Sequence, residues 1–350
     1  MKYLILQHPG HNRVYYNVAG KLAVAELQIA AKRLSVVCRD IEIIDIEEIR
    51  YISLDVESIM PDDDIKIISR LSFVFAIYLL EETKGKTCLI PIRKANYEIL
   101  DNKISSILKY QGKTNELFTR MMINVAMLSS EFSYSDNIRM LDPVSGKGTT
   151  LFEGTIYGFD VYGIEIESRF VNETAIFFKK YLEAERLKHT SSVRMISGAN
   201  KSEAINIQEF EYALSKENFK SGESIRKLGL VCGSSKYAHK YFKGESFNLI
   251  VGDLPYGIAH SSSSVKKMTS SSRNPTNLLA ESLPEWYLSL KPGGTVVLAW
   301  NSYLASRLKL AEIFSDSGFD VMKDPPYDAF EHMVDQSIKR DILVARKTSL

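Results

Sequence analysis

Three short stretches of the chain carry residues able to do chemistry at places where an α/β fold presents them. The first is Asn248–Gly257. Its apolar run, Leu249–Val251, is short enough for a buried strand and stops at Gly252. Asp253, Leu254, Pro255, Tyr256 and Gly257 follow. In an open α/β sheet, ligands sit outside the carboxyl ends of the strands. A carboxylate that accepts hydrogen bonds and a ring that stacks would both be presented there. Taken alone, glycine and proline after a strand also fit an ordinary turn.

The second stretch is Leu141–Thr150. A strand ends in Asp142-Pro143, and Ser145, Gly146, Lys147 and Gly148 then open a helix at Thr149. The glycines permit a tight turn and close approach of backbone to a ligand, and the helix start offers unpaired N–H groups. A phosphate-cradling Walker loop needs glycine at 141 and Ser or Thr at 148, but Leu141 and Gly148 stand there. A dinucleotide fingerprint needs glycine at 151, where the chain has Leu151. The remaining reading is an S-adenosylmethionine loop, with the strand-end acid facing the amino-acid end of the cofactor.

The third stretch, Val161–Glu167, follows one helix later. An acid ending the second strand, about twenty residues after the glycines, is the usual grip on two ribose hydroxyls, and a carboxylate, being acceptor-only, suits a diol. Glu165 is at the expected strand end, and Glu167 is the alternative.

The elements needed to position these residues follow from periodicity. From residue 113 onward, strands and helices alternate, the pattern of a mostly parallel sheet covered on both faces. Strands are expected at 139–141, 161–164, 247–251, 295–300 and 341–345. Helices are expected at 149–157, 170–187, 278–290 and 304–317, with a turn at Lys291–Gly294. Thr114 is expected to cap a helix buried through Leu117, Met121, Val125 and Leu128. Residues 197–227 are polar and read as an insertion.

Before the joint at Gln111–Lys113, the chain reads as a smaller α+β domain. Strands are expected at 3–7, 13–18, 41–54 and 88–92. A helix over 21–34 should bury Val24, Leu27, Ala31 and Leu34. A second helix, starting at Asp62–Asp64, should bury Ile68, Leu71, Phe75 and Tyr78, and a third is expected near 96–110. The division is therefore 1–112 and 113–350.

Composition narrows the function classes. The chain has 350 residues, 45% hydrophobic, and a net charge of +1. That balance lends no support to nucleic-acid binding, so a local basic patch would have to supply it. No run of eighteen apolar residues exists, and no membrane span is expected. Cys38, Cys88 and Cys232 form no pair motif, which points to a reduced, cytoplasmic setting. His8 and His11 lack partners for a metal, and His332 reads as structural. Residues 260–275 are rich in serine with Lys266, Lys267 and Arg273 and no acid. They read as a flexible loop or as a lid over a polyanion.

Together, Asp142–Thr150, Gly163–Glu167, Asp253–Gly257 and Lys291–Gly294 resemble the Rossmann-like amino-methyltransferases. The Asp-Leu-Pro-Tyr-Gly run is closest to the THUMP-associated and tRNA guanine methyltransferases. Phe330–His332 through Ser337 to Val344 resembles that family's closing strands, and Tyr15–Leu34 its ferredoxin-like lead-in. The resemblance implies a class I methyltransferase domain over about 113–350 behind a ferredoxin-like domain too short to hold a complete THUMP domain as well. It implies S-adenosylmethionine as cofactor, held by Asp142, Pro143, Ser145, Gly146, Gly148 and Glu165 and bordered by Asp253. Ser234, or alternatively Asn200, would meet the adenine in place of the expected acid.

By the same resemblance, Asp253 and the Leu254 carbonyl would accept the hydrogens of an exocyclic amine, Pro255 would fix the turn and Tyr256 would stack on the base. The implied substrate is the 2-amino group of guanine in RNA, most simply tRNA, with no metal and with a small activating subunit as a possible partner. Leu254 stands where many amino-methyltransferases have proline, which weakens a DNA adenine reading more than an RNA one; a DNA adenine or cytosine amino-methyltransferase is the alternative enzyme. A non-catalytic RNA-binding protein retaining the fold is the reading from a different class.

Overall fold

The computed structural model describes residues 1–9, 13–83, 85–107, 109–110, 112–197, 204–242, 244–255 and 275–349. Contacts divide the chain into two compact units, Met1–Tyr97 with Lys323–Arg340, and Glu98–Met322 with Asp341–Leu350. The division falls after Tyr97 rather than at 112. Residues beyond it are tied into the second unit, where the Ile99 amide bonds Ile156 O at 2.7 Å and Arg120 binds Asn102.

In the first unit the elements are β1 (Lys2–Gln7), α1 (Arg13–Ala31), β2 (Cys38–Ile46), β3 (Ile49–Val56), α2 (Asp62–Ser69), β4 (Val74–Thr83) and β5 (Lys86–Ile92). The strands form an antiparallel sheet in the order β2-β3-β1-β4-β5. From β1 to β4 the elements run β-α-β-β-α-β, the order of a split β-α-β unit, and β5 extends it.

Three expectations for this unit change. Residues 13–18, read as a strand, belong to α1. Leu27 is buried as expected, but the buried face of α1 otherwise holds Leu22, Ala25, Ile29 and Ala30, whereas Val24, Ala31 and Leu34 are only half-buried. Glu26 is the reason. Its carboxylate is fully buried yet accepts from Ser72 N at 3.0 Å and Ser72 Oγ at 2.5 Å, so the helix can turn a charge inward once it is paired. Likewise α2 ends at Ser69. Phe75 and Tyr78 lie on β4, which pairs with β1 and β5 on its two sides, and this double pairing outweighs their helical spacing.

The second unit opens with one helical turn, α3 (Lys103–Ser106), where a longer helix was expected, and continues with α4 (Glu116–Ser129), β6 (Arg139–Asp142), α5 (Thr149–Ile156), β7 (Asp160–Glu165) and α6 (Ser168–Ala184). Next come β8 (Lys188–Ser197), β9 (Ala204–Ala213), α7 (Lys216–Ser221), β10 (Arg226–Cys232), a 3-10 turn at Ser235–Tyr237, α8 (Ala238–Tyr241) and β11 (Phe247–Asp253). The chain then forms α9 (Pro275–Ser289), β12 (Leu290–Asn301), α10 (Arg307–Asp316) and β13 (Asp320–Val321), followed by β14 (His332–Met333), which falls in the first unit, and β15 (Lys339–Arg346).

The sheet order is β13-β15-β12-β11-β6-β7-β10-β9-β8, with β14 paired to β15. From β12 through β11, β6 and β7 to β10, neighbours are parallel. In chain order these are the fifth, fourth, first, second and third parallel strands. The order therefore reverses between β6 and β11, and such a switch point opens a crevice at the strands' carboxyl ends.

Parallel strands covered on both faces read as continuous apolar runs. In β11, every residue from Phe247 to Gly252 is buried. The buried face expected of α6 is present, with Val171, Ala175, Phe178 and Leu182 all inward. Helix α4 is buried around most of its circumference, Met121, Val125 and Leu128 included.

Residues 197–227 are not simply a polar insertion. They contain β9 and the start of β10, and with β8 they extend the sheet by an antiparallel ribbon. Phe210 and Tyr212 are fully buried and meet Phe178 edge-on at 5.4 and 5.5 Å. Their burial was masked in sequence by the charges that alternate with them.

Lys291–Gly294 is also not a turn but part of β12. Gly293 has φ +75°, and a Cβ on Gly294 would lie 2.7 Å from Asn248 O. The two glycines thus let the strand pass an irregularity in its pairing with β11.

Lys323–Arg340 leaves the second unit and joins the first. There Lys32 Nζ lies 5.1 Å from the Tyr327 ring centre and Lys339 pairs with Glu331 at 2.7 Å. His332 is buried, its Nδ1 2.8 Å from Phe330 O, and burial pulls its pKa down to about 4. Among the described residues, no helix is long and apolar enough to cross a membrane and no group of three or more His, Cys, Asp or Glu could hold a metal ion.

Candidate active site

The acids singled out by the sequence end three adjacent strands: Glu165 on β7, Asp142 on β6 and Asp253 on β11. Asp142 and Asp253 flank the switch point. Gly252 keeps these ends close, since a Cβ there would stand 3.2 Å from Asp142 Oδ1 and 3.3 Å from Pro143 Cδ.

Asp142 is buried, and its Oδ1 accepts from Val144 N at 3.0 Å. Burial pushes its pKa up to about 7, against the pull of the Val144 amide and the Thr150 hydroxyl. The negative charges of Asp253 and Glu165 raise it further. The unfolded carboxyl loses its proton near 4 and the folded one near 7, so this group's contribution is fully present below pH 4 and is lost as pH rises to 7. Asp142→Asn should therefore stabilise the ligand-free protein at pH 8, with a smaller gain at pH 5. Urea midpoints at the two pH values measure this.

The glycine loop hangs between these ends. Ser145 N bonds Ile164 O at 3.0 Å and Gly148 N bonds Ser145 O at 2.8 Å. Gly146 and Gly148 have φ +50° and +84°, conformations that favour glycine. They differ in surroundings. A Cβ on Gly146 would meet nothing within 4 Å, whereas one on Gly148 would be 2.9 Å from Thr174 Cγ2. Gly148→Ala is accordingly expected to destabilise the fold by roughly 1–3 kcal/mol, read from the shift in denaturation midpoint.

Glu165 is locked to this loop. One carboxylate oxygen accepts from Gly146 N at 2.9 Å and the other from Glu167 N at 2.8 Å. Burial raises its pKa, and those backbone donors counter the rise. Of the two acids considered for this place, Glu165 ends β7, while Glu167 lies beyond it and lends its amide.

Ser234 follows β10, whose Cys232 lies opposite Glu165 in the parallel register. Its Oγ accepts from Lys236 N at 3.4 Å and its carbonyl from Tyr241 OH at 3.0 Å, while Trp286 Nε1 holds Ser235 O at 3.1 Å. Leu254 is buried, and its amide bonds Ala299 O at 2.9 Å. Pro255 is exposed. Tyr256, Gly257, Asn200 and most of the serine-rich stretch, from His260 to Asn274, lie outside the described residues.

Two residues were missed as site residues. Thr114 does not cap α4. Asn115 does, its Oδ1 taking Leu117 N at 2.9 Å and Phe118 N at 3.2 Å, and the Thr114 hydroxyl donates to Asp253 Oδ2. Tyr110 sits with its OH 2.8 Å from Thr149 Oγ1. Burial raises its pKa, and the charges of Asp142 and Asp253 add to the rise. The one trace in sequence was two adjacent capping candidates, Thr114 and Asn115, where a helix needs one.

The strand order and the switch point define the second unit as a Rossmann-like, doubly wound α/β fold. No protein-family model matches the chain, and no curated protein matches it. Among solved structures, TrmN from Thermus thermophilus aligns with a TM-score of 0.39 and 12% identity over 89% of this chain and 60% of its own. A TehB-like SAM-dependent methyltransferase from Corynebacterium glutamicum aligns at 0.33 and 11%, over 61% of this chain and 81% of its own. An rRNA methylase from Streptococcus thermophilus aligns at 0.32 and 11%, over 61% and 89%. The chain spans 60% of the length of the Thermus protein.

Proposed function

We propose that the chain is an S-adenosylmethionine-dependent RNA methyltransferase acting on an exocyclic base amine, the 2-amino group of a guanine in tRNA. The observation that carries the reading is the row of three strand-end acids around the β6/β11 switch point, with the glycine loop after β6 bonded to Glu165 at one end of it. The residues fit this cofactor. The space beside Gly146 is open, and Glu165 is held by two backbone donors while a carboxylate offers about four lone-pair positions, which leaves acceptors for a diol. Asp142 is an acid whose burial favours a cationic partner.

In this reading Asp142, Pro143, Ser145, Gly146 and Gly148 hold the amino-acid end of the cofactor, Glu165 its ribose and Ser234 its adenine side. The cofactor supplies an electrophilic methyl group on a sulfonium sulfur. The chain's task is the nucleophile. An exocyclic amine is weak because its lone pair is delocalised into the base, and acceptors on its hydrogens localise that pair. Asp253 and the carbonyl of Leu254 are those acceptors, with Leu254 held in line with the strand end by Ala299. Tyr256 provides the stacking ring, which in comparable sites contributes roughly 1–3 kcal/mol per base. An unpaired or flipped base is required, because the amine is shielded inside a duplex. Capture of the RNA falls to the first unit, to residues 260–275 or to a small partner subunit, since the net charge of +1 gives no general attraction.

The test is incubation of the full chain with methyl-labelled cofactor and tRNA, ribosomal RNA or duplex DNA, followed by digestion to nucleosides. The expected product is N2-methylated guanosine from tRNA. Label in methyladenosine or methylcytosine from DNA would replace guanine with the alternative substrates. Cofactor binding without label in any substrate would leave a binding protein that retains the fold.

A further inference from the structure

The Thr114 hydroxyl reaches Asp253 across 139 residues of sequence, and both ends of that hydrogen bond are held by packed structure. On one side, α4 is buried through Phe118, Thr119 and the whole run Met121–Ser129, so its start is fixed. Asn115 caps it, and Lys113 is tied to Ser105 O at 2.5 Å and to the Glu116 carboxylate. Thr114 is thus pinned by both neighbours while its own hydroxyl takes no part in capping. On the other side, Asp253 closes the buried strand β11, and Leu254 after it is buried and bonded to Ala299.

We propose that Thr114 is a positioning residue, whose hydroxyl sets the orientation of the Asp253 carboxylate for the incoming base amine. The inference rests on the reading of Asp253 as the acceptor for that amine. Rotation about the last torsion of aspartate is broad and roughly two-fold, so an unrestrained carboxylate would spend time turned away from its substrate. The Thr114 hydroxyl takes one of about four lone-pair positions and restricts that rotation. Thr114 neither gains nor loses a proton, and acts through Asp253 alone.

The experiment compares Thr114→Val, Thr114→Ser and Asp253→Ala in the full chain, with labelled S-adenosylmethionine and tRNA as substrates. Valine removes the donor at nearly the same volume and serine keeps it. For Thr114→Val, kcat should fall roughly 10- to 100-fold, while cofactor Kd and the KM for tRNA move less than about threefold. The thermal midpoint should be retained. Thr114→Ser should recover kcat to within about threefold of the parent. Full activity in Thr114→Val, equal impairment in both Thr114 variants, or a loss confined to cofactor Kd would overturn the assignment. Asp253→Ala separates the two levels. If it stays active, the role of Asp253 itself is wrong. If it is inactive while Thr114→Val is not, only the role of Thr114 fails.

Discussion

Asp253→Ala is expected to lower methyl transfer roughly 10²- to 10⁴-fold, the range for a positioned acid or base, with cofactor affinity nearly unchanged. The carboxylate terminates β11 and is gripped by Thr114. Its partner across the switch point, Asp142, is held by the Val144 amide, a contact that does not pass through Asp253. Under the proposed function, the substitution therefore removes the amine acceptor without dismantling the glycine loop. Single-turnover transfer with labelled S-adenosylmethionine gives the chemical step, and calorimetry gives the cofactor Kd. A large loss of cofactor affinity would transfer Asp253 to the cofactor half of the site.

Glu165→Ala should show the opposite division, with cofactor Kd rising roughly 10- to 100-fold, the equivalent of losing hydrogen bonds to a charged group. Transfer at saturating cofactor should fall much less. Two effects add. The proposed ribose contact loses its acceptor, and the Gly146 amide loses the carboxylate that holds it at 2.9 Å. Glu165→Gln keeps one acceptor oxygen but sets an NH2 donor against a backbone amide that the second carboxylate oxygen now accepts, so an intermediate Kd is expected. A wild-type Kd in Glu165→Ala would remove ribose binding from Glu165.

The parts of the fold and site that could be read from sequence are those governed by local rules. The buried strand Leu249–Val251, the glycine pair 146 and 148 and the helix face of α6 each depend on residues a few positions apart. The parts that could not be read depend on distant partners. Glu26 looked like a surface charge because Ser72, which satisfies it, is 46 positions away. Phe75 and Tyr78 matched a helical spacing until pairing with β1 and β5 claimed them. The ribbon of β8 and β9 was obscured by its charges, several of which pair across strands, as Arg194 does with Glu209 at 3.2 Å. In the site, the acids were visible because strand ends are visible. Thr114 was not, because a hydroxyl beside a helix start has an ordinary local use and its bond to Asp253 is made only in the folded sheet.

The discontinuity of the first unit bears on how the protein is made. Residues Met1–Tyr97 emerge from the ribosome before the second unit, but Lys323–Arg340, which belong to the same unit, emerge after nearly all of it. At typical elongation rates of about 5–20 residues per second, the interval is on the order of tens of seconds. Throughout it the nascent first unit lacks the Tyr327 ring that lies beside Lys32 and the Glu331 carbonyl that Lys21 reaches. Completion of the N-terminal unit is thus a late event in synthesis, and a chain stalled before residue 323 carries both units unfinished, the first lacking this segment and the second lacking β15.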